Sequence, residues 1–225
     1  MSLGGSLIVP NKINHEFLNK FRKVLNQNKK KYKFIIVCGG GQTARTYIQG
    51  LENEKLTERK KEYFQSLLGI SATRLNARLL TYFFGEDTHQ GIPYNMKQIK
   101  NLLRLHDIVF CGALRYAKEQ TSDSTSAKLA RYFKTQFVNL TNVKGLYDKN
   151  PKKFRSAKFI PEISHKDFLK KAKEIEFKPG QHFVLDQKAA KIIKKHKITT
   201  FIIGEDMKQL HNLLNHKHFI GTRIS

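Results

Sequence analysis

FIIVCGGGQTAR, residues Phe34 to Arg45, is the stretch that decides the fold. Its first five residues form a continuous apolar run, the pattern of a strand buried on both faces in a parallel sheet. Gly39, Gly40 and Gly41 interrupt that run, and TARTYIQGL continues with helical spacing. A strand that turns through glycine into a helix is half of a βαβ unit. The junction is also chemically informative. Without Cβ atoms, backbone N–H groups can approach an anion closely, and the helix N-terminus adds its positive dipole end. Arg45 falls one turn into the helix, where a guanidinium can close on the same phosphate with two hydrogen bonds. Taken alone, the stretch also fits a tight turn with a surface arginine. It matches neither GxGxxG nor GxxxxGKS/T, so it is neither a dinucleotide fingerprint nor a P-loop.

The same grammar extends in both directions. Upstream, Ser6 to Val9 (SLIV) reads as a short strand, and Asn14 as the N-cap of a helix carrying Phe17, Phe21, Val24 and Leu25 on one face. Downstream, the polar stretch ENEKLTERKKEY precedes a helix through GISATRLNARLLTYFF. IVFC (108–111), FVNL (137–140) and TTFIIG (199–204) read as strands, separated by the helices SAKLARYF and KAAKIIKKH. FIGTRIS closes the chain as a last strand. Strands alternating with helix-length connections predict an α/β fold: a three-layer α/β/α sandwich with a mostly parallel central sheet and helices on both faces. No internal repeat or long linker divides residues 1–225, so one domain is expected.

Composition sets limits on function. The 225 residues are 40% hydrophobic and 27% charged, which excludes collagen-like, mucin-like and wholly disordered chains. Lys and Arg number 42 and Asp and Glu 18, a net charge of +24. Such an excess points to polyanions without saying which. The basic clusters KKKYK, RKK, KKFR, KKAK and KKHK are scattered, and no zinc-finger, RNP-like or basic-zipper motif accompanies them. Nucleic acid is therefore a partner suggested by charge and unsupported by motif. Cys38 and Cys111 close short apolar runs without metal-ligand spacing, as buried free thiols do. No apolar run approaches the roughly 18 residues of a membrane span. MSLGGSLIVP lacks the basic and extended apolar regions of a secretory signal. A cytoplasmic protein is expected.

Further motifs take meaning from their order. SLGGS (2–6) is a second glycine pair, which alone fits a flexible terminus equally well. TSDSTSAKLA places Thr121, Ser122 and Asp123 at a helix start, where capping is sufficient explanation. The same holds for Asp186 in VLDQKAAKII. TNVKGLYDKNP is rich in turn formers after a strand. In sequence, these elements resemble the amino acid kinase superfamily, and within it the archaeal branch of uridylate (UMP) kinases. SLGGS resembles the family's first glycine loop, GGGQTAR its GGGxxAR loop, and GISATRLNA the start of its acceptor-side helix. TSDSTSA is similar to TTDAxA, NVKGLYDKNP to NVDGVYxxDP, VLDQKAAKII to its V(I/L)DxxAAKII, and IGTRI to GTxI. The resemblance covers nearly the whole chain.

The resemblance implies ATP-dependent phosphorylation of UMP to UDP. Gly40, Gly41 and Arg45 would hold the acceptor phosphate, with Ser66 and Thr121 also on the acceptor side. Gly4, Gly5 and Ser6 would lie under the phosphoryl groups, with Gly4 and Gly5 shared with ATP. Asp123 and Asp186 would organise the transfer site and its Mg²⁺, and Asn142, Tyr147 and Pro151 fall where the family holds ATP. Phosphoryl transfer asks for positioning and charge neutralisation above all, which glycine loops, an arginine and a metal supply. The division implied is an acceptor lobe over approximately 1–115 and an ATP lobe over 116–225, in a homo-hexamer built as a trimer of dimers.

The departures are specific. Ser2 stands where bacterial members have a lysine, as in some archaeal members that also lack it. Ser66 replaces an aspartate that would contact the ribose. GALRYAKEQTSD (112–123) replaces a GGTxPGHTTD loop around the acceptor base, Lys144 replaces the aspartate of NVDG, and Asn150 that of the DP pair. Fewer residues precede the first glycine loop than in the family, so its strand is expected to be short. These differences leave two alternatives: a weakly catalytic nucleotide-binding sensor or RNA-associated protein on this fold, and a kinase for another phosphate-bearing acceptor.

Overall fold

The computed structural model describes residues 1–85, 91–116, 121–174 and 184–225. The elements through the first half are β1 (Ser2–Leu3), α1 (Gly5–Ile8), α2 (His15–Asn28), β2 (Phe34–Cys38), α3 (Gly41–Gln49), α4 (Glu58–Phe84), α5 (Met96–Leu105) and β3 (Ile108–Cys111). The rest are α6 (Ser122–Tyr132), β4 (Phe137–Leu140), β5 (Leu146–Tyr147), β6 (Phe159–Ile160), β7 (Glu162–Ile163), α7 (His165–Glu174), α8 (Gln187–His196), β8 (Thr200–Ile203), α9 (Met207–Leu214) and β9 (Thr222–Ile224). The chain forms two compact units, Leu3–Ser122 and Asp123–Ser225 with Met1–Ser2.

In the Leu3–Ser122 unit the strand order is β3-β2-β1. β2 and β3 run parallel, from Phe34 opposite Ile108 to Val37 opposite Cys111. Ile36, Val37, Val109 and Phe110 are buried, as continuous apolar strands require. Helix α4 lies against both strands and buries Ala72, Ala77, Leu80 and Phe84. Phe84 meets Phe110 with ring centroids 4.7 Å apart. Helix α2 starts where the sequence indicates: the Asn14 side chain accepts a hydrogen bond from the Phe17 N–H at 3.2 Å, and Phe17, Phe21, Val24 and Leu25 are buried. Cys38 and Cys111 are buried and free, and burial pushes both thiols up, Cys111 to about 12.

In the Asp123–Ser225 unit the order is β4-β8-β9-β7. β4 pairs parallel with β8, and β7 parallel with β9; the closing strand β9 runs antiparallel to β8. Parallel pairing therefore prevails across the described strands, and the α/β class expected from the alternating pattern holds. The core gathers Phe137, Phe168, Ala189, Ala190, Ile193, Ile202 and Ile224. Among the described residues no helix is long and apolar enough to cross a membrane.

Two readings of the pattern are corrected. Ser6–Val9 is not a strand: the strand is Ser2–Leu3, and Gly5–Ile8 closes a helical turn, with the Leu7 N–H donating to the Gly4 carbonyl and the Val9 N–H to that of Gly5. A run of four apolar residues carries no period that separates strand from helix, and the glycine pair turns the chain before it. Helix α4 starts at Glu58, well before Gly69. Its ERKKE opening is polar because it faces water, and those residues are good helix formers. Helices α5, α7 and α9 and strands β5 to β7 lie in stretches from which the pattern alone drew no element.

Candidate active site

In the Leu3–Ser122 unit the two glycine loops lie backbone against backbone. The Gly39 N–H donates to the Leu3 carbonyl at 2.8 Å, and the Gln42 N–H to that of Val9 at 3.0 Å. A Cβ on Gly5 would fall 2.6 Å from the Gly41 Cα and 2.7 Å from the Gly39 carbonyl carbon. Side chains have no room there. Gly41 also has φ +61, a conformation that only glycine adopts without strain. Gly4 immediately precedes α1, Gly5 and Ser6 open it, and Gly40 and Gly41 open α3. The result is a patch of half-buried backbone, Gly4, Gly40 and Gly41, at the start of a nine-residue helix. Arg45 lies one turn into that helix, half-buried, its Nε donating to the Gln42 Oε1 at 2.9 Å. This combination of amides, dipole and guanidinium can hold a dianionic phosphate.

Helix α4 holds this loop through residues that pattern reading passed over. Asn76 is buried, and its Nδ2 donates to the carbonyls of Gly39 at 2.7 Å and Gly40 at 3.1 Å. One turn earlier, the Thr73 Oγ1 accepts from the Ala113 N–H at 2.9 Å, and the Arg74 guanidinium donates to the carbonyls of Ala113 and Leu114. Gly112 fits because the Arg74 backbone N lies 2.6 Å from where its Cβ would be. The sequence signal was there: Thr73 and Asn76 are polar residues on the helix face that also carries Ala72, Ala77 and Leu80. Ser66 sits in α4 with its hydroxyl donating to the Glu62 carbonyl at 2.8 Å. Within GALRYAKEQTSD, residues 117–120 lie outside the described residues; Thr121 follows them, half-buried before Asp123.

In the Asp123–Ser225 unit one carboxyl feels the charge of another, Asp123 that of Asp186. Asp123 lies in the first turn of α6 and accepts from the Ser2 hydroxyl at 2.7 Å. Burial, then the charge of Asp186, pushes its carboxyl up to about 7, and the serine hydrogen bond opposes that rise. Asp186 precedes α8 and accepts from the N–H groups of Lys188 at 2.7 Å and Ala189 at 2.8 Å, the capping role its position suggests. Ser2, noticed in sequence only as the residue in a lysine's place, is a structural partner of Asp123 and is itself buried.

The same unit shapes a loop from Thr141 to Lys158. The Thr141 N–H donates to the Ile203 carbonyl, and Asn142 follows β4, half-buried. Thr222 ties the loop: its Oγ1 accepts from the Leu146 N–H at 2.8 Å and donates to the Ile160 carbonyl at 2.5 Å. Tyr147 packs edge-on against Phe159 at 5.4 Å, and Pro151 is half-buried beside Asn150. The Asn150 Oδ1 accepts from the Lys152 N–H, which keeps a turn where the family pattern has an aspartate. Lys144 is exposed.

The chain is similar to known proteins over its length. The pattern of the amino acid kinase family matches residues 1–204. A uridylate kinase of Methanococcus aeolicus is 34% identical over 100% of this chain and 97% of its own. One of Thermococcus kodakarensis is 33% identical over 96% and 94%. The crystal structure of uridylate kinase from Archaeoglobus fulgidus superposes with a TM-score of 0.84 at 30% identity, covering 100% of this chain and 98% of that one.

The raised Asp123 carboxyl has a consequence for stability. Its folded value near 7 exceeds the unfolded value of about 3.9, so the cost of ionising it in the fold is absent below about pH 4 and grows up to about pH 7. Without nucleotide or divalent cation, Asp123→Asn is expected to raise Tm by on the order of 10 °C at pH 8 and by nothing near pH 4. Thermal denaturation across that pH range measures it. An effect of the same size at both ends would contradict it.

Proposed function

The chain belongs to the amino acid kinase family, and from that premise we propose that it transfers the γ-phosphoryl group of ATP to UMP, giving UDP and ADP. The observation that carries the reading is the glycine-on-glycine phosphate cradle with Arg45 at its helix start, in a chain aligned end to end with uridylate kinases. Gly40, Gly41 and Arg45 take the acceptor phosphate, and Gly4, Gly5 and Ser6 face the phosphoryl groups in transit. Ser66 gives its own hydrogen to the Glu62 carbonyl, so it meets the ribose as an acceptor. Thr121 contributes on the acceptor side. Residues up to about 115 form the acceptor lobe and those from 116 the ATP lobe, where Asn142, Tyr147 and Pro151 receive the nucleotide.

The site chemistry accommodates Mg²⁺. A buried carboxyl that burial and then a neighbouring carboxylate push up, as at Asp123, is relieved by a divalent cation, and Mg²⁺ is commonly held by one or two carboxylates together with substrate phosphates. Asp123 and Asp186 are the residues that would hold it, and the ion would neutralise charge on the transferred phosphoryl group. Ser2 orients Asp123 through its hydroxyl, supplying no positive charge of its own. In the acceptor cradle Arg45 and the loop amides align the attacking phosphate oxygen, which is most of what this reaction asks of a protein.

Self-association is part of the proposal. Along α4, Phe64, Leu67, Leu75 and Tyr82 are 39%, 37%, 56% and 65% exposed, and steps of three or four place them, with Ser71 and Arg78, in one outward stripe. A second copy covers such a stripe in the homo-hexamer.

Release of ADP is expected with UMP and Mg²⁺, and weakly or not at all with CMP, AMP or GMP. Arg45→Ala should lower kcat/KM for UMP by about 100-fold, on the scale of a lost charged phosphate contact. Silence on every acceptor would favour the sensor reading, and unchanged turnover in Arg45→Ala would remove the cradle assignment. Leu67→Glu combined with Leu75→Glu should lower the mass measured by sedimentation. An unchanged mass would show that the stripe faces no partner.

A further inference from the structure

The Asp123–Ser225 unit carries an open groove of about 490 Å³ at the C-terminal ends of α6 and α8, the two helices whose starts carry Asp123 and Asp186. Arg131, Lys134, His196 and Lys197 line it together with Gln136, and no acidic residue is among its lining. It is built from two helix ends of the same design. After α6, the Thr135 N–H donates to the Ala130 carbonyl at 2.9 Å and the Lys134 N–H to that of Arg131 at 3.2 Å. After α8, the Ile198 N–H donates to the Ile193 carbonyl at 3.1 Å and the Lys197 N–H to that of Lys194 at 3.3 Å. Both are Schellman endings, whose left-handed residue is usually glycine. Here it is lysine twice, Lys134 at φ 50 and Lys197 at φ 48.

Helix dipoles do not account for this charge. Two C-termini together present roughly one negative charge, whereas Arg131, Lys134, Lys194, Lys195 and Lys197 bring about five positive ones. The cations also crowd each other: burial, then Arg131 and Lys195, holds His196 below its usual range. An aromatic residue follows Arg131 directly in the chain, outside the groove's own lining. Tyr132 is 47% exposed and packs edge-on against Phe133 at 5.0 Å. A positive groove beside an exposed ring is how proteins hold single strands, the cations following phosphates while the ring stacks on a base. An acidic peptide would use the charge and leave the ring idle.

We propose that this groove binds a single-stranded polynucleotide, with Arg131, Lys134 and Lys197 on its phosphates and Tyr132 against a base. The site does not depend on the kinase reading. It also gives a use to positive charge that the glycine cradle does not need.

Anisotropy of a short labelled single-stranded RNA tests it, with the nucleotide sites filled by UMP and a non-hydrolysable ATP analogue. Glycine is the natural occupant of both left-handed positions, so Lys134→Gly with Lys197→Gly removes two charges while keeping the backbone. Binding is expected to weaken about tenfold at low salt, and the slope of log K against log salt to fall by about 1.4. Tyr132→Ala should cost roughly another tenfold. UMP-dependent turnover should stay unchanged. Equal loss for single-stranded DNA supports the same site. Variants that bind like the parent with the same salt slope would overturn the proposal, as would polyglutamate displacing the RNA at matched charge.

Discussion

The contact of the Gly5 backbone with the backbones of Gly39 and Gly41 is the constraint on which the glycine loops of the Leu3–Ser122 unit rest. It lets two loops from separate strand ends share one surface, and it leaves their peptide groups uncovered by side chains. Everything near it serves that arrangement. Asn76 satisfies the carbonyls of Gly39 and Gly40, and the Gly39 and Gln42 amides are tied to the Leu3 and Val9 carbonyls, so the loop is held from both sides of its backbone. The left-handed turn at Gly41 starts α3, and α3 carries Arg45 to the spot where its dipole is positive.

The other unit handles charge by a different means. Burial, then the charge of Asp186, raises the cost of ionising Asp123, and the buried Ser2 hydroxyl offsets part of it. The protein's overall charge of +24 is a separate matter. The proposed nucleotide site calls for one arginine and backbone amides, while the surplus on the ends of α6 and α8 is gathered around a groove of its own.

Much of this was legible in sequence, for reasons that can be traced. The continuous apolar run Phe34–Cys38 cannot face water on either side, so a buried parallel strand follows from it directly. Asn14 and Asp186 announced their caps because each side chain is short enough to reach the first free amides of a helix. Ser6–Val9 misled, because the local turn at Gly4 and Gly5 overrides an apolar quartet with no period. Asn76 and Thr73 were passed over because their partners, backbone atoms of Gly39, Gly40 and Ala113, are more than thirty residues away in the chain. The serine at Ser2 could be seen as a substitution, but its bond to Asp123, 121 residues on, needed the fold.

The most direct measurement of the central claim is UMP binding by calorimetry to Gly5→Ala, alongside its thermal stability. A single methyl group there has no space between the two loops, so the account predicts a lower Tm and a loss of UMP affinity of at least about tenfold in the protein that remains folded. Parental UMP affinity in a folded Gly5→Ala protein would contradict it, because the phosphate site would then not depend on the glycine contact.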